Sequence, residues 1–423
     1  MKYTIPVLIL AAGCSAPVEE IKVNDAERVS AASEVVANTG DWPWWRGPNL
    51  DGHAEGEAPP TTWSESENVI WSADVPGKGH ATPSIAGDQV FVATADKAAD
   101  TMSLLCFNRN DGQRQWECVL HEGGFMHTHQ KNSHASATPA CDGKQAYAVF
   151  IANDALMVSA VSRDGEIVWQ KEAGPFHSMH GYGSSPVLYR SLVIVNGDNN
   201  GSGYVAALDR ATGDVVWRTA RGSRASFATP VIANAAGKTQ LLLSGQKKIV
   251  SYNPDSGKML WQCKGPASTC ANTMAWQGDL VFASGGYPEH SIMAIRADGS
   301  GNVIWEKRQK VYVPSLLIDQ GRLFAIQDNG VAYCFDANSG DELWKKRLGG
   351  DFSASPVAAG GNIFVPNESG RMFVFKSAAR FEMVAENELA NGGFASPVIC
   401  GGKLYVRTAH KLFCVAKPDA EKS

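Results

Sequence analysis

The chain has 423 residues, 44% of them hydrophobic and 19% charged, with 42 glycines and a formal net charge of −5. That balance is ordinary for a globular protein, and charges of both signs are interspersed without long runs. It excludes the basic stripe through which a nucleic-acid binder neutralises phosphates, so no nucleic-acid partner is expected.

Lys2 precedes an apolar run from Ile5 to Leu10, followed by Ala11-Ala12-Gly13-Cys14. A basic start, a short apolar core and small residues before a cut describe an export signal too short to span a bilayer. Small residues directly before a cysteine resemble a bacterial lipobox, although Ala11 stands where leucine is usual. The resemblance implies that residues 1–14 carry the signal and that cleavage leaves Cys14 as a lipid-bearing N-terminus. An ordinary secretory signal with an incidental cysteine is the alternative. No other segment is long and apolar enough for a transmembrane helix, so acyl chains are the expected membrane anchor. Ser15 follows the cysteine; by analogy with enterobacterial sorting, a residue other than Asp there favours the outer membrane, on its periplasmic side. Residues 15–40 are rich in Glu, Asn, Ala and Ser and lack aromatics, which reads as a flexible tether.

Beyond residue 40 the chain repeats itself. The fullest copy is Ala207-Leu208-Asp209-Arg210-Ala211-Thr212-Gly213-Asp214-Val215-Val216-Trp217. Related stretches end at Trp261 and Trp344, shorter ones at Trp116, Trp169 and Trp305, and Trp71 keeps only the strand half. After each tryptophan comes Ser or Thr, then Pro, then an apolar strand: Thr82-Pro83, Thr138-Pro139, Ser185-Pro186, Thr229-Pro230, Ser355-Pro356 and Ser396-Pro397. Pro314-Ser315 is a permuted copy, and Thr273-Met274 lacks the proline. The period of roughly 40 to 55 residues suits four short strands per unit. Asp-x-x-Thr-Gly is turn chemistry, with glycine taking positive φ while Asp and Thr side chains bond nearby backbone. One four-stranded sheet cannot bury both of its faces, whereas stacking it between neighbours does, each Trp acting as a wedge.

Radial closure leaves only short protected edges. Eight unit starts, at Pro83, Pro139, Pro186, Pro230, Met274, Pro314, Pro356 and Pro397, predict an all-β, eight-bladed β-propeller of four-stranded antiparallel blades over residues 41–417. Residues 418–423 read as a disordered tail. The last unit has no Trp strand of its own, so Asn68 to Val75 is expected to complete it. Unit seven ends in Phe381-Glu382-Met383-Val384 without a Trp, and seven blades is the alternative count.

The complete match at 207–217 resembles the tryptophan-docking motif of pyrroloquinoline-quinone (PQQ) type propellers, and the resemblance runs from about Asp41 to Ala416. The runs Trp42-Pro43-Trp44-Trp45-Arg46-Gly47-Pro48-Asn49, Gly181 to Pro186 and Phe352 to Pro356 sharpen it. They are similar to those of PQQ-like repeat lipoproteins, whose architecture resembles both the propeller lipoprotein of the outer-membrane β-barrel assembly machinery and the PQQ dehydrogenases. For a dehydrogenase the resemblance implies PQQ and Ca²⁺ in the propeller mouth, often beside a disulfide between adjacent cysteines. This chain has no adjacent cysteine pair and no Cys-x-x-Cys-His haem motif. Asp328, Asn329, Asn367 and Glu368 are the candidate Ca²⁺ oxygens, in a pattern that also makes turns.

Other features stand apart from the repeat. Cys106 and Cys118 flank a turn and Cys263 and Cys270 a short loop, as bridges or as buried free thiols. His127 and His129 alternate, and with His134 they form a candidate metal set, with His177 and His180 at a similar place in the next unit. Polar loop residues at a propeller rim are the alternative reading. The glycines of 197–203 read as a hairpin turn. Arg221, Arg224 and Arg347 follow Trp strands, where with Glu368 they are expected in the central funnel, or else pair with loop carboxylates. No nucleophile elbow, Walker loop or dinucleotide fingerprint is present. The expected function is therefore non-catalytic: a lipid-anchored binding or scaffolding module for a protein or carbohydrate partner. The rival is a PQQ-dependent dehydrogenase acting on an alcohol or sugar, and a third reading is a purely structural repeat protein.

Overall fold

The computed structural model describes residues 18–22, 29, 31–389 and 391–418. The signal segment, Cys14 and residues 419–423 lie outside the described residues.

The repeat shows how one blade locks the next. At the turn between the strands Tyr204–Asp209 and Val215–Ala220, Asp209 Oδ1 accepts the Ala211 and Thr212 amides at 2.8 and 3.1 Å. Gly213 holds φ of 76°, and a Cβ there would lie 2.4 Å from the Trp169 ring of the preceding blade. Glycine is thus required both by backbone handedness and by the close approach of the wedge. The Trp169 indole donates to the Arg210 carbonyl of this same turn at 2.9 Å. Trp71, Trp116, Trp217, Trp305 and Trp344 likewise donate to carbonyls of the following blade, those of Arg109, Arg163, Pro254, Ala337 and Ala378. Trp261 departs from the pattern and donates to Gln240 of its own blade at 2.7 Å. Ala385 takes the wedge station on blade 7, and Trp63, from the N-terminal segment, is buried in the same cluster, stacked on Phe364.

Among the described residues the strands form eight four-stranded antiparallel sheets, which decides for eight blades over seven. Blades 1 to 7 span residues 84–122, 140–175, 187–220, 231–264, 275–307, 317–347 and 357–388. Blade 8 combines residues 398–415 with the strand Val69–Asp74, which pairs antiparallel to Lys411–Val415 and sets Trp71 opposite Cys414. The core lies in the seams between blades, where Val, Leu, Ile and Phe side chains are almost wholly buried.

A belt of hydroxyls runs round the channel inside those seams. The Thr82 amide donates to Thr138 Oγ1, Thr138 to Ser185, Ser185 to Thr229, Thr273 to Ser315, Ser315 to Ser355, Ser355 to Ser396, and Ser396 back to Thr82. This explains the Ser/Thr at each repeat start: its side chain accepts a buried amide that no strand partner reaches. The permuted Pro314-Ser315 keeps its hydroxyl in register, and Thr273 serves without a proline.

The cysteine expectations resolve to free thiols. All eight described cysteines are unbridged. Cys106 lies opposite Trp116 and Cys118 opposite Leu104, so the two are out of register across their hairpin. Cys263 sits on an outer strand opposite Ile249, while Cys270 is buried in a connection. The described part of the stretch read as a tether lies on the propeller. Ile21 bridges to Arg218, Val29 is buried, and Glu34 pairs with Arg190 at 2.8 Å.

Candidate functional site

The hairpins joining first to second and third to fourth strands gather at one end of the channel. The second-to-third loops and the connections between blades gather at the other. The run from Trp42 to Asn49 explains why only the second end is open.

Trp42 exchanges backbone hydrogen bonds with Ile85 of blade 1, and the Pro43 carbonyl accepts the Cys141 amide of blade 2. Arg46, almost fully buried, donates to the carbonyls of Leu316, Asp51 and Pro356 at 2.9, 2.8 and 3.4 Å, reaching blade 6 and the start of blade 7. Burial lowers its pKa to about 10 despite Asp51 nearby. His53 lies 3.4 Å from both Asp51 and Asp319. Burial opposes its charge, but the bonds to Asp319 and Asp51 prevail and raise its pKa to about 9. The segment is a plug tied to blades 1, 2, 6 and 7, and through Trp45 to the start of blade 5.

Trp45 is the plug's inner face. Its indole donates to Thr273 Oγ1 at 2.7 Å, at the place in the hydroxyl belt where Thr229 would otherwise connect. Above it opens a blind pocket of about 590 Å³, large enough for a drug-sized ligand or a few residues of peptide. Phe227, Tyr312, Phe352 and Phe394 wall it over the belt hydroxyls. His80 stacks on Phe394 at 4.2 Å, and burial, with Lys78 and Arg407 adding to it, holds the imidazole neutral with its pKa at about 3. Arg224 and Lys310 line the same space, and among the described residues neither forms an ion pair. Met179 and Tyr287 stand out on the surrounding loops, 65% and 64% exposed.

The histidine-rich insertion reaches over this mouth. Lys131 Nζ lies 3.1 Å from both Asp351 and Glu368, across the ring from its own blade. Glu368 also accepts the Ser353 hydroxyl at 2.7 Å. His127 Nδ1 is 3.0 Å from the Met179 carbonyl, and His129 faces His180 with ring centres 5.8 Å apart. The segment is loop rather than strand, so His127 and His129 share no strand face. His134 lies apart, edge-on to Phe125 at 4.7 Å, with its pKa lowered to about 4 by burial and by Lys97 and Lys78. Among the described residues no three His, Cys, Asp or Glu side chains come together as a metal-ligand set.

The funnel expectations divide. Glu368 and Arg224 line the pocket. Arg221 does not: it is buried against Asp198 at 2.7 Å and the Tyr252 hydroxyl at 2.6 Å, tying blade 3 to blade 4. Pairing with a carboxylate, the alternative weighed for it, prevails because a buried guanidinium needs a counter-charge. Arg347 bonds the Asn329 carbonyl at 3.2 Å outside the pocket. The Ca²⁺ donors do not converge either. Asp328 accepts the Tyr312 and Val313 amides, burial raising its pKa, while Asn367 closes its own turn and Glu368 is held by Lys131. With neither this donor set nor an adjacent cysteine pair, the residues present do not fit a PQQ–Ca²⁺ centre. Sequence reasoning passed over the pocket's aromatic walls. Their signal was there: an aromatic two or three residues before the belt hydroxyl, as in Phe227 before Thr229, Phe352 before Ser355 and Phe394 before Ser396.

Fold and site together define an eight-bladed propeller closed at one end, with a single-ended, aromatic-walled pocket at the other. The chain belongs to the PQQ-type repeat family described as outer membrane protein assembly factor BamB, whose model matches residues 61–177, 148–320 and 290–415. It is 23% identical over 366 residues to the outer membrane protein assembly factor BamB of Yersinia pestis, covering 81% of this chain and 86% of that one. Among solved structures it is similar to BamB from Moraxella catarrhalis, with a TM-score of 0.60 and 14% identity, covering 82% of this chain and 99% of that one. It is also similar to the quinohemoprotein alcohol dehydrogenase of Comamonas testosteroni, with a TM-score of 0.64 and 12% identity, covering 94% of this chain and 84% of that one. Those structural likenesses show the fold alone.

Proposed function

We propose that this propeller is a non-catalytic scaffold in outer-membrane protein assembly, lipid-anchored in the cell envelope, and that it receives a segment of a protein partner at its mouth. The observation that carries this reading is the pocket: apolar rings around a Trp45 floor, rimmed by exposed Met179 and Tyr287. Aromatic and Met side chains at a concave site suit apolar polypeptide anchors, and Arg224, with Lys310 whose charge also acts on Asp328, favours an acidic residue beside them. A photocrosslinking residue placed at Tyr287 should capture assembly proteins of the outer membrane in living cells, while the same probe at Asp111, beside the closed end, should not. Arg224→Glu with Lys310→Glu should weaken the Tyr287 crosslink at least fivefold. Equal capture from both positions, or dye-linked alcohol oxidation on addition of PQQ and Ca²⁺, would overturn the reading.

A further inference from the structure

The N-terminal segment fixes where the anchor leaves the ring. Ile21 exchanges two backbone hydrogen bonds with Arg218, at 3.0 and 2.8 Å, adding a short edge to the outer strand of blade 3. Arg218 Nη1 also reaches the Glu19 carbonyl at 3.4 Å, and Val18 packs against the core between blades 2 and 3. Further along, Val29 is 4% exposed in the cluster between blades 3 and 4. Cys14 precedes Val18 by only four residues. At about 3.5 Å per extended residue, a lipid on Cys14 lies within roughly 14 Å of the outer edge of blade 3. The described residues of the 15–40 stretch thus hold to the ring at Val18, Ile21 and Val29.

The outer strands on either side of that edge carry an independent sign. Blade 2 exposes Ile167 and Val168 (45% and 52%), and blade 4 exposes Met259 and Leu260 (47% and 45%). Val303 and Ile304 form a third such pair on blade 5 (44% and 41%), whereas blades 1, 6 and 8 expose single apolar side chains, Val119, Leu343 and Ile70 (40%, 39% and 38%). Opposite, on blade 7, the matching stations before the wedge position hold Met383 and Val384, which are only partly exposed. On blade 3 itself Val215 and Val216 are only partly exposed, but apolar pairs on the blades flanking it, beside the point where an acyl chain would depart, match a lipid interface better than water.

We infer that the ring rests edge-on against the bilayer along blades 2 to 4, with the Ile21–Arg218 pairing setting that orientation, so that the channel axis runs along the membrane and the mouth stays uncovered. This rests on Cys14 carrying a lipid, as the proposed function does. The test uses the full-length protein extracted from membranes and reconstituted in phosphatidylethanolamine–phosphatidylglycerol vesicles containing a diazirine phospholipid. After irradiation, peptides holding Ile167–Val168 and Met259–Leu260 should carry at least threefold more lipid adduct than the Met383–Glu388 peptide. Even labelling round the ring, or a maximum at blade 7 or at the mouth, overturns the inference. Ile21→Pro removes the N–H given to the Arg218 carbonyl and should bring that ratio towards one without changing the melting curve; an unchanged ratio denies the pairing its role. Intact mass reads acylation of Cys14 separately. An unmodified Cys14 overturns this inference and the anchored part of the proposed function, whereas the Tyr287 crosslink tests the mouth on its own.

Discussion

At the closed end of the channel Trp42 and Arg46 are 1% and 5% exposed, and the guanidinium is satisfied by backbone carbonyls of distant blades. At the mouth Lys131 is 48% exposed, and it is held by two carboxylate side chains. Backbone carbonyls set by a sheet do not move when a ligand arrives, whereas long exposed side chains exchange partners readily and are screened by salt. One channel therefore has an end built to stay shut and an end built to adapt, and what enters it comes from the adaptable side.

The contrast breaks most severely at the plug. Trp42→Ala removes a fully buried indole and should cost about 3–5 kcal/mol, read as a fall in the denaturation midpoint. A loss below about 1 kcal/mol would mean that the plug is only laid on a ring already stable. A smaller effect should follow pH. His53, raised to about 9, stabilises the Asp51–His53–Asp319 clasp fully below its ordinary pKa near 6.5, and that contribution is lost as pH rises through 9. Asp51, despite burial opposing its charge, and Asp319, chiefly through its bond to His53, are held below the usual carboxylate range, so the clasp also weakens in acid. With His53 28% exposed, its contribution is on the order of 1–2 kcal/mol. The melting difference between wild type and His53→Gln should be largest near pH 5–6.5 and vanish above about pH 9.5. The smallest effect belongs to the mouth. Lys131→Met should change stability by less than about 1 kcal/mol, yet alter the Tyr287 crosslink yield; a large loss of stability instead would make the insertion part of the frame.

The ring was legible because its signals are local and repeated. Gly213 and the Asp209 turn announce a hairpin, and Trp169 announces the wedge it receives. Even the permuted Pro314-Ser315 kept its place, since the hydroxyl and not the proline holds the belt. The pocket was not legible in the same way. Its walls come from connections scattered over the whole chain, and only ring closure brings Phe227, Phe352 and Phe394 together. The position of Arg221 after a Trp strand left it open to the funnel or to a loop carboxylate, and the nearby Asp198 decides for the second. Trp45 stood in a motif noticed for its resemblance, yet nothing local says that its indole spans the channel to Thr273. For Cys106 and Cys118 the choice between bridge and free thiols turned on register, which spacing about a turn does not specify.

The strand Val69–Asp74 and its mate Lys411–Val415 meet across nearly the whole polypeptide; the Asp74–Lys411 contact alone joins residues 337 positions apart. If the chain is threaded through a membrane from its first residue, that early strand waits, unsatisfied and sticky, until the last blade arrives. Before then the nascent protein is an open fan whose two end sheets expose apolar flanks to any passing strand. Mispairing is the chief hazard of that interval, which ends when the final zipper shuts.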